Sequence, residues 1–134
     1  MIIQIRIIIP AVLLLAVISV SIAAAAPSGE AASLVEQGDA LLMTKNYSEA
    51  LAAYEMALTL DTANFEAWNG KADALNRAGN FTEALAASDS AVALEPSDTR
   101  GWINRGYILY NLERYDDELK AYETAISLEP DNAE

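Results

Sequence analysis

The 134-residue sequence predicts an all-α solenoid of three helix-turn-helix repeats, six helices in all, behind an apolar N-terminal segment outside the fold. Three observations predict it. The first is a period of 34 from Ala31 onward, which aligns Leu34 with Trp68 and Trp102, Gly38 with Ala72 and Gly106, and Leu41 with Leu75 and Leu109. The same spacing aligns Tyr47, Phe81 and Tyr115, then Ala57, Ala91 and Ala125, then Leu60, Leu94 and Leu128. A fixed period of this length marks stacked repeats. The second is that each row holds two windows of helical apolar spacing. The third is turn chemistry that recurs between those windows.

The windows are Ala31–Met43 and Ser48–Leu60, then Phe65–Arg77 and Thr82–Leu94, then Thr99–Asn111 and Asp116–Leu128. Each is about 13 residues, or roughly 20 Å of helix. Helices this short are marginal alone in water, so packing must hold them. Ser48, Thr82 and Asp116 share a column and are expected to cap the second helices, at about 1 kcal/mol per cap. Gly79 suits the turn before the second of these. Pro96 and Pro130 stop second helices because proline lacks the N–H and clashes backward. Thr62 stands in that column in the first row, so termination should be weaker there. Gly38, Ala72, Gly106, Ala50 and Ala84 allow close helix approach, and Trp68 and Trp102 fill the gaps between neighbours.

Residues 1–26 read as a targeting segment. Arg6 and the free amine precede Ile7–Ala26, which carries no charge and leads into the alanine cluster before Pro27. A positive start, an apolar run and a small-residue site make a secretory signal, with cleavage after Ala25 fitting best. The alternative is an uncleaved anchor, since 20 helical residues would span roughly 30 Å, one bilayer core. Either way the charge order puts the repeats outside the cytoplasm, secreted or tethered, and residues 7–26 are the only expected membrane contact. Residues 27–30 read as a short linker, and 31–64, 65–98 and 99–132 as the three repeats. Residues 133–134 read as the start of a fourth.

Composition narrows the chemistry. Lys and Arg number 8 against 20 Asp and Glu, a net charge of −12. Arg6 is the only charged side chain before Glu30, so the remainder carries a net of −13. Such a surface does not suit nucleic acid, whose phosphates require basic partners. With no His and no Cys, there is no imidazole base, no thiolate nucleophile and no ordinary zinc site. Neither a nucleophile elbow nor a phosphate loop is present, so an enzyme, a cofactor or a metal is not expected. Asp116-Asp117-Glu118 lacks the spaced ligands and glycine of a calcium loop and reads as charge at a helix start. Asp39 and Asp73 have no evident partner for acid–base work.

The pattern resembles the tetratricopeptide repeat family over Ala31–Asn132. The third row carries the motif in full: Trp102, Gly106, Leu109, Tyr115, Tyr122, Ala125 and Pro130. The resemblance implies a right-handed superhelix with a concave groove lined by the first helices, holding a protein or peptide segment. Projected here, that groove comprises Val35, Asp39 and Leu42, then Asn69, Asp73, Asn76 and Arg77, then Arg100, Ile103, Asn104, Tyr107, Tyr110 and Asn111. Asparagine both donates and accepts, which suits an extended peptide backbone. One subfamily clamps chaperone C-terminal carboxylates, at positions matching Val35, Asp39, Gly70, Arg100 and Asn104. Only Arg100 keeps the charge and Asp39 would repel a carboxylate, so that activity is not expected. Ser88 and Glu118 depart from the motif and are expected to loosen local packing.

The turns and the last helix add two further expectations. Asn46-Tyr47-Ser48 and Asn80-Phe81-Thr82 are N-x-Ser/Thr sequons in turns, candidate glycosylation sites at Asn46 and Asn80 if the chain is exported. The competing explanation is that Asn simply favours turns. The face near Tyr122, Ala125, Ile126 and Leu128 is expected to stay partly exposed, open to further repeats of a longer array, to self-association or to a partner's cap. The function expected is therefore a non-enzymatic interaction scaffold, or alternatively an assembly module working through that last face.

Overall fold

The computed structural model describes residues 27–129. Among the described residues there are six helices and no strand: α1 (Pro27–Met43), α2 (Tyr47–Leu60), α3 (Phe65–Arg77), α4 (Phe81–Leu94), α5 (Thr99–Asn111) and α6 (Tyr115–Leu128). They stack as three hairpins, α1 on α2, α3 on α4 and α5 on α6, each hairpin packing on the next. The first helices α1, α3 and α5 also touch one another in succession, and the second helices make no comparable contact. The inner edge of the array is thus formed by the first helices. The segment read as signal or anchor, Pro130 and residues 133–134 lie outside the described residues. No described helix is long and apolar enough to cross a membrane.

The expected windows α3 and α5 are matched end to end. Residues 27–30, expected as a linker, instead continue α1 as its first turn. The second helices each begin one residue sooner than expected, at Tyr47, Phe81 and Tyr115. This corrects the capping assignment. Ser48, Thr82 and Asp116 sit inside their helices, and the flanking Asn46, Asn80 and Arg114 make no side-chain cap. Ser48 Oγ instead donates to Glu49 Oε2 at 3.0 Å.

The reason lies at the end of the helix before. Lys45, Gly79 and Glu113 share one column and all adopt positive φ, at 63°, 86° and 58°. Asn46, Asn80 and Arg114 then each donate N–H to the carbonyl five residues back, Leu41, Leu75 and Leu109, at 2.9 Å. This paired C-terminal closure satisfies the orphan carbonyls and uses up the short loop. The side-chain caps belong to the first helices, where Asn64 Oδ1 accepts from Ala67 N and Asp98 Oδ1 from Arg100 N, each at 2.9 Å. Without a proline, α2 still ends at Leu60, in the column of Leu94 and Leu128. There Asp61 Oδ1 accepts from Ala63 N at 3.1 Å and holds the turn.

Each hairpin is fitted by one pair of columns. In the first row the Tyr54 ring, wholly buried, lies so close to Gly38 that a Cβ there would come within 2.6 Å. Gly70 of α3 closes on the same ring from the next repeat, where a Cβ would come within 2.4 Å. Gly106 and Tyr122 repeat the fit in the third row at 2.5 Å. The second row places a different pair in these columns, Ala72 and Ser88, both wholly buried. Ser88 therefore does not loosen the packing as expected: its Oγ donates to Leu85 O at 2.8 Å and the Ala72 methyl stands where the other rows have glycine. Glu118 is half-buried where the other rows place the fully buried Ala50 and Ala84. Trp68 and Trp102 bridge the repeats, their indole N–H groups donating to Thr62 O at 3.0 Å and Pro96 O at 2.9 Å.

Candidate binding groove

The edge where α3 meets α5 opens into two adjoining hollows. One, of about 510 Å³, is lined by Asp73, Asn76, Arg77, Asn104, Tyr107, Tyr110 and Asn111. The other, of about 300 Å³, is lined by Asn69, Asp73, Arg77, Arg100, Ile103, Asn104 and Tyr107. Ten of the thirteen expected groove residues thus come together, all from the second and third rows.

The walls are tied by amides. Asn104 Nδ2 donates to Asn69 O at 3.1 Å and to Asn69 Oδ1 at 3.0 Å, and Asn111 Nδ2 donates to Asn76 Oδ1 at 2.8 Å. These bonds leave the Oδ1 atoms of Asn104 and Asn111 without a partner among the described residues. The Nδ2 groups of Asn69 and Asn76 are equally unused. Two acceptors and two donors are therefore available along one strip, the complement of an extended backbone.

Charge is mostly internally balanced. Arg77 Nε lies 2.8 Å from Asp73 Oδ1, and that bond raises the arginine's already high pKa. Arg100 bonds Glu66 Oε1 at 2.9 Å and Asp98 Oδ2 at 2.7 Å, and its guanidinium carbon stands 5.1 Å over the Phe65 ring. The Arg100 bonds hold the Asp98 carboxyl below the usual carboxylate range. Arg100, the one charge retained from a carboxylate clamp, already has two carboxylate partners.

Aromatic surface completes the site. Tyr107 and Tyr110 are 58% and 57% exposed, enough to offer ring faces to a ligand. Tyr107 packs edge-on to Tyr122, with ring centres 5.9 Å apart at 80°, and Tyr110 meets Tyr115 at 6.1 Å. Burial, then the neighbouring Tyr107 and Glu118, pushes the Tyr122 phenol up.

The three first-row residues stand apart. Val35 is buried in the cluster of Tyr54 and Leu58, and Leu42 packs against that cluster, so both serve the core. Asp39 Oδ1 accepts from the Tyr54 hydroxyl at 2.6 Å; burial first, and that bond second, hold the phenol protonated far above its ordinary value. Val35 departs from its column, which holds Asn69 and Ile103, polar or half-exposed in the later rows. Gly70 matters for packing rather than as a lost clamp position. The bulky Tyr54, sixteen residues before it, demands a small residue on the facing helix. The side chains of Asn46 and Asn80 are exposed and make no cap bond.

The comparisons with known proteins agree with this architecture. A family profile described as Tetratricopeptide repeat matches residues 19–67, 35–98 and 69–133. No curated protein matches the chain by sequence. Among solved structures, the first TPR of Spaghetti (RPAP3) bound to HSP90 peptide SRMEEVD is 30% identical, with TM-score 0.75, over 79% of this chain and 84% of that one. The Sgt2 TPR domain from Aspergillus fumigatus is 27% identical, with TM-score 0.76, over 81% of this chain and 72% of that one. The second TPR domain of human RPAP3, in complex with HSP70 peptide SGPTIEEVD, shares the fold at 24% identity and TM-score 0.74, over 80% and 89% of the two chains.

Proposed function

The chain belongs to the tetratricopeptide repeat family, and from that premise we propose that it is an interaction scaffold holding a peptide segment in the α3–α5 groove. The observation that carries this is the amide strip of Asn69, Asn76, Asn104 and Asn111 beside the exposed Tyr107 and Tyr110. The amides would pair with backbone N–H and C=O groups, and the tyrosines would stack on apolar or aromatic side chains. Binding rather than catalysis fits a surface with no imidazole and no thiol.

The ligand class differs from that of the chaperone-tail binders. A relative bound to SRMEEVD supports peptide binding by this fold. Here, however, both groove arginines are already paired, Arg77 with Asp73 and Arg100 with Glu66 and Asp98. The groove is therefore suited to an internal, extended, neutral or basic segment rather than a C-terminal carboxylate. The positive start and apolar run of residues 1–26 support display of this scaffold outside the cytoplasm.

The test is selection of groove binders from two random-peptide libraries, one with free C-termini and one with internal peptides. Internal peptides should dominate, and Asn104→Ala with Tyr107→Ala should weaken them at least tenfold, while Met56→Gln, an exposed α2 change outside the groove, leaves them unchanged. Enrichment only of acidic C-terminal tails, or indifference to both groove changes, would refute the reading.

A further inference from the structure

Two joints between repeats are built alike. Where α2 meets α3, Lys71 Nζ lies 2.9 Å from Glu55 Oε1 and 5.7 Å from the centre of the Trp68 ring. Where α4 meets α5, Arg105 Nε lies 2.7 Å from Asp89 Oδ1, and its guanidinium carbon is 5.9 Å from the centre of the Trp102 ring. Both cationic side chains are only 22% exposed, so each is held between an acid and an indole. A small residue precedes each tryptophan. Ala67 is wholly buried in the cluster of Leu58, and at Gly101 a Cβ would come within 3.1 Å of Val92 Cγ1. The receiving helix thus offers an acid and, three residues on, an aliphatic side chain. The arriving helix offers a small residue, a tryptophan and, three residues after that, a cation.

The outer face of α6 repeats the receiving half. Glu123 stands in the column of Glu55 and Asp89, and Ile126 in that of Leu58 and Val92. The arriving half is missing among the described residues. Leu58 and Val92 are 8% and 9% exposed, but Ile126 is 63% exposed, and Leu119 on the same helix is 59% exposed. No described cation pairs with Glu123.

We propose that this face docks a helix from a partner protein that carries a small residue, an aromatic residue next to it, and Lys or Arg three residues beyond the aromatic. The cation would settle between Glu123 and its own aromatic ring, and the small residue would admit Ile126, as in the two joints already formed. Charge favours a basic visitor on a chain of net charge −12. A second copy stacked end to end is a poorer occupant. Its α1 would bring Ser33, Leu34 and Gln37 in these columns, with neither the aromatic nor the cation.

The probe is a stapled helical peptide of the α5 sequence, residues 99–111, labelled and titrated by fluorescence anisotropy against the full chain in detergent. Saturable binding is expected. Ile126→Asp in the protein, or Arg105→Glu in the peptide, should weaken it at least tenfold. Glu123→Lys in the protein should restore the Arg105→Glu peptide. Absence of saturable binding, or binding indifferent to these charge changes, overturns the proposal. So does light scattering that finds the unmodified chain dimeric and Ile126→Asp monomeric, because a second copy would then own the face.

Discussion

Asn104 of α5 donates from one amide nitrogen to both the backbone oxygen and the side-chain Oδ1 of Asn69 on α3, at 3.1 and 3.0 Å. That bond sets the distance between the two helices whose facing edges form the groove. It uses the Nδ2 of Asn104 and leaves its Oδ1 for a ligand. Asn104→Asp keeps an oxygen for the ligand but loses this tie, so it should weaken peptide binding by parting the groove walls. It replaces the donor with a second acceptor, which faces Asn69 oxygens at hydrogen-bond distance. A loss of about tenfold in affinity, roughly 1.4 kcal/mol, is expected by isothermal calorimetry with helicity unchanged.

The turn column makes a prediction about stability alone. Lys45 and Glu113 hold a left-handed backbone with a side chain attached, whereas Gly79 does so freely. Lys45→Gly and Glu113→Gly should each stabilise the array by about 0.5–1 kcal/mol, and Gly79→Ala should cost about as much. Urea midpoints read this directly. A destabilised Glu113→Gly chain would show that the side chain's own contacts outweigh the backbone strain.

The glycine–tyrosine fit can be swapped between rows. Gly106→Ala alone drives a methyl into the Tyr122 ring and should cost about 1–3 kcal/mol. Adding Tyr122→Ser installs the pair that the second row already uses at Ala72 and Ser88, and should relieve the clash so that the two changes are not additive. A double-mutant cycle from thermal melts measures the coupling. Strictly additive losses would contradict the fit.

Acid should act in part through Asp98. Its folded pKa is depressed by Arg100, so its contribution is present above the unfolded carboxylate value of about 4 and is lost as pH falls through the lower folded value. Asn64 stands in the same column and caps α3 as Asp98 caps α5, so Asp98→Asn keeps the cap and removes the charge. The variant should be less stable than the parent at pH 7 and lose less stability between pH 5 and pH 2. A parallel acid profile for both chains would remove the ion pair from the account.

Much of this architecture is legible in the sequence because packing repeats and packing is what a period records. Trp68 with Trp102, and Leu41 with Leu75 and Leu109, place the six helices within a residue at most of their ends, the first turn of α1 aside. Capping is less legible because a serine or threonine near a helix start has two fates. Here the closure ending at Asn46 and Asn80 consumes the loop before Ser48 or Thr82 can cap. The groove is legible in the second and third rows, where the polar Asn69, Asn76 and Asn104 stand on the inner helices. In the first row, Val35 is buried beside Tyr54, and the exposed Asp39 is engaged by the Tyr54 hydroxyl. That Ser88 is accommodated in a row carrying Ala72 in place of glycine involves two columns at once, which reading one column at a time does not show.

That the α3–α5 groove holds an extended internal peptide is tested most directly by a map of backbone amide shifts. The isotope-labelled chain is titrated with a selected internal peptide. Shifts should gather at Asn69, Asp73, Asn76, Asn104, Tyr107 and Asn111, with new amide contacts from the Asn104 and Asn111 side chains. Shifts confined to α6, or scattered on the α2 and α4 surfaces with the asparagine amides unmoved, would contradict it.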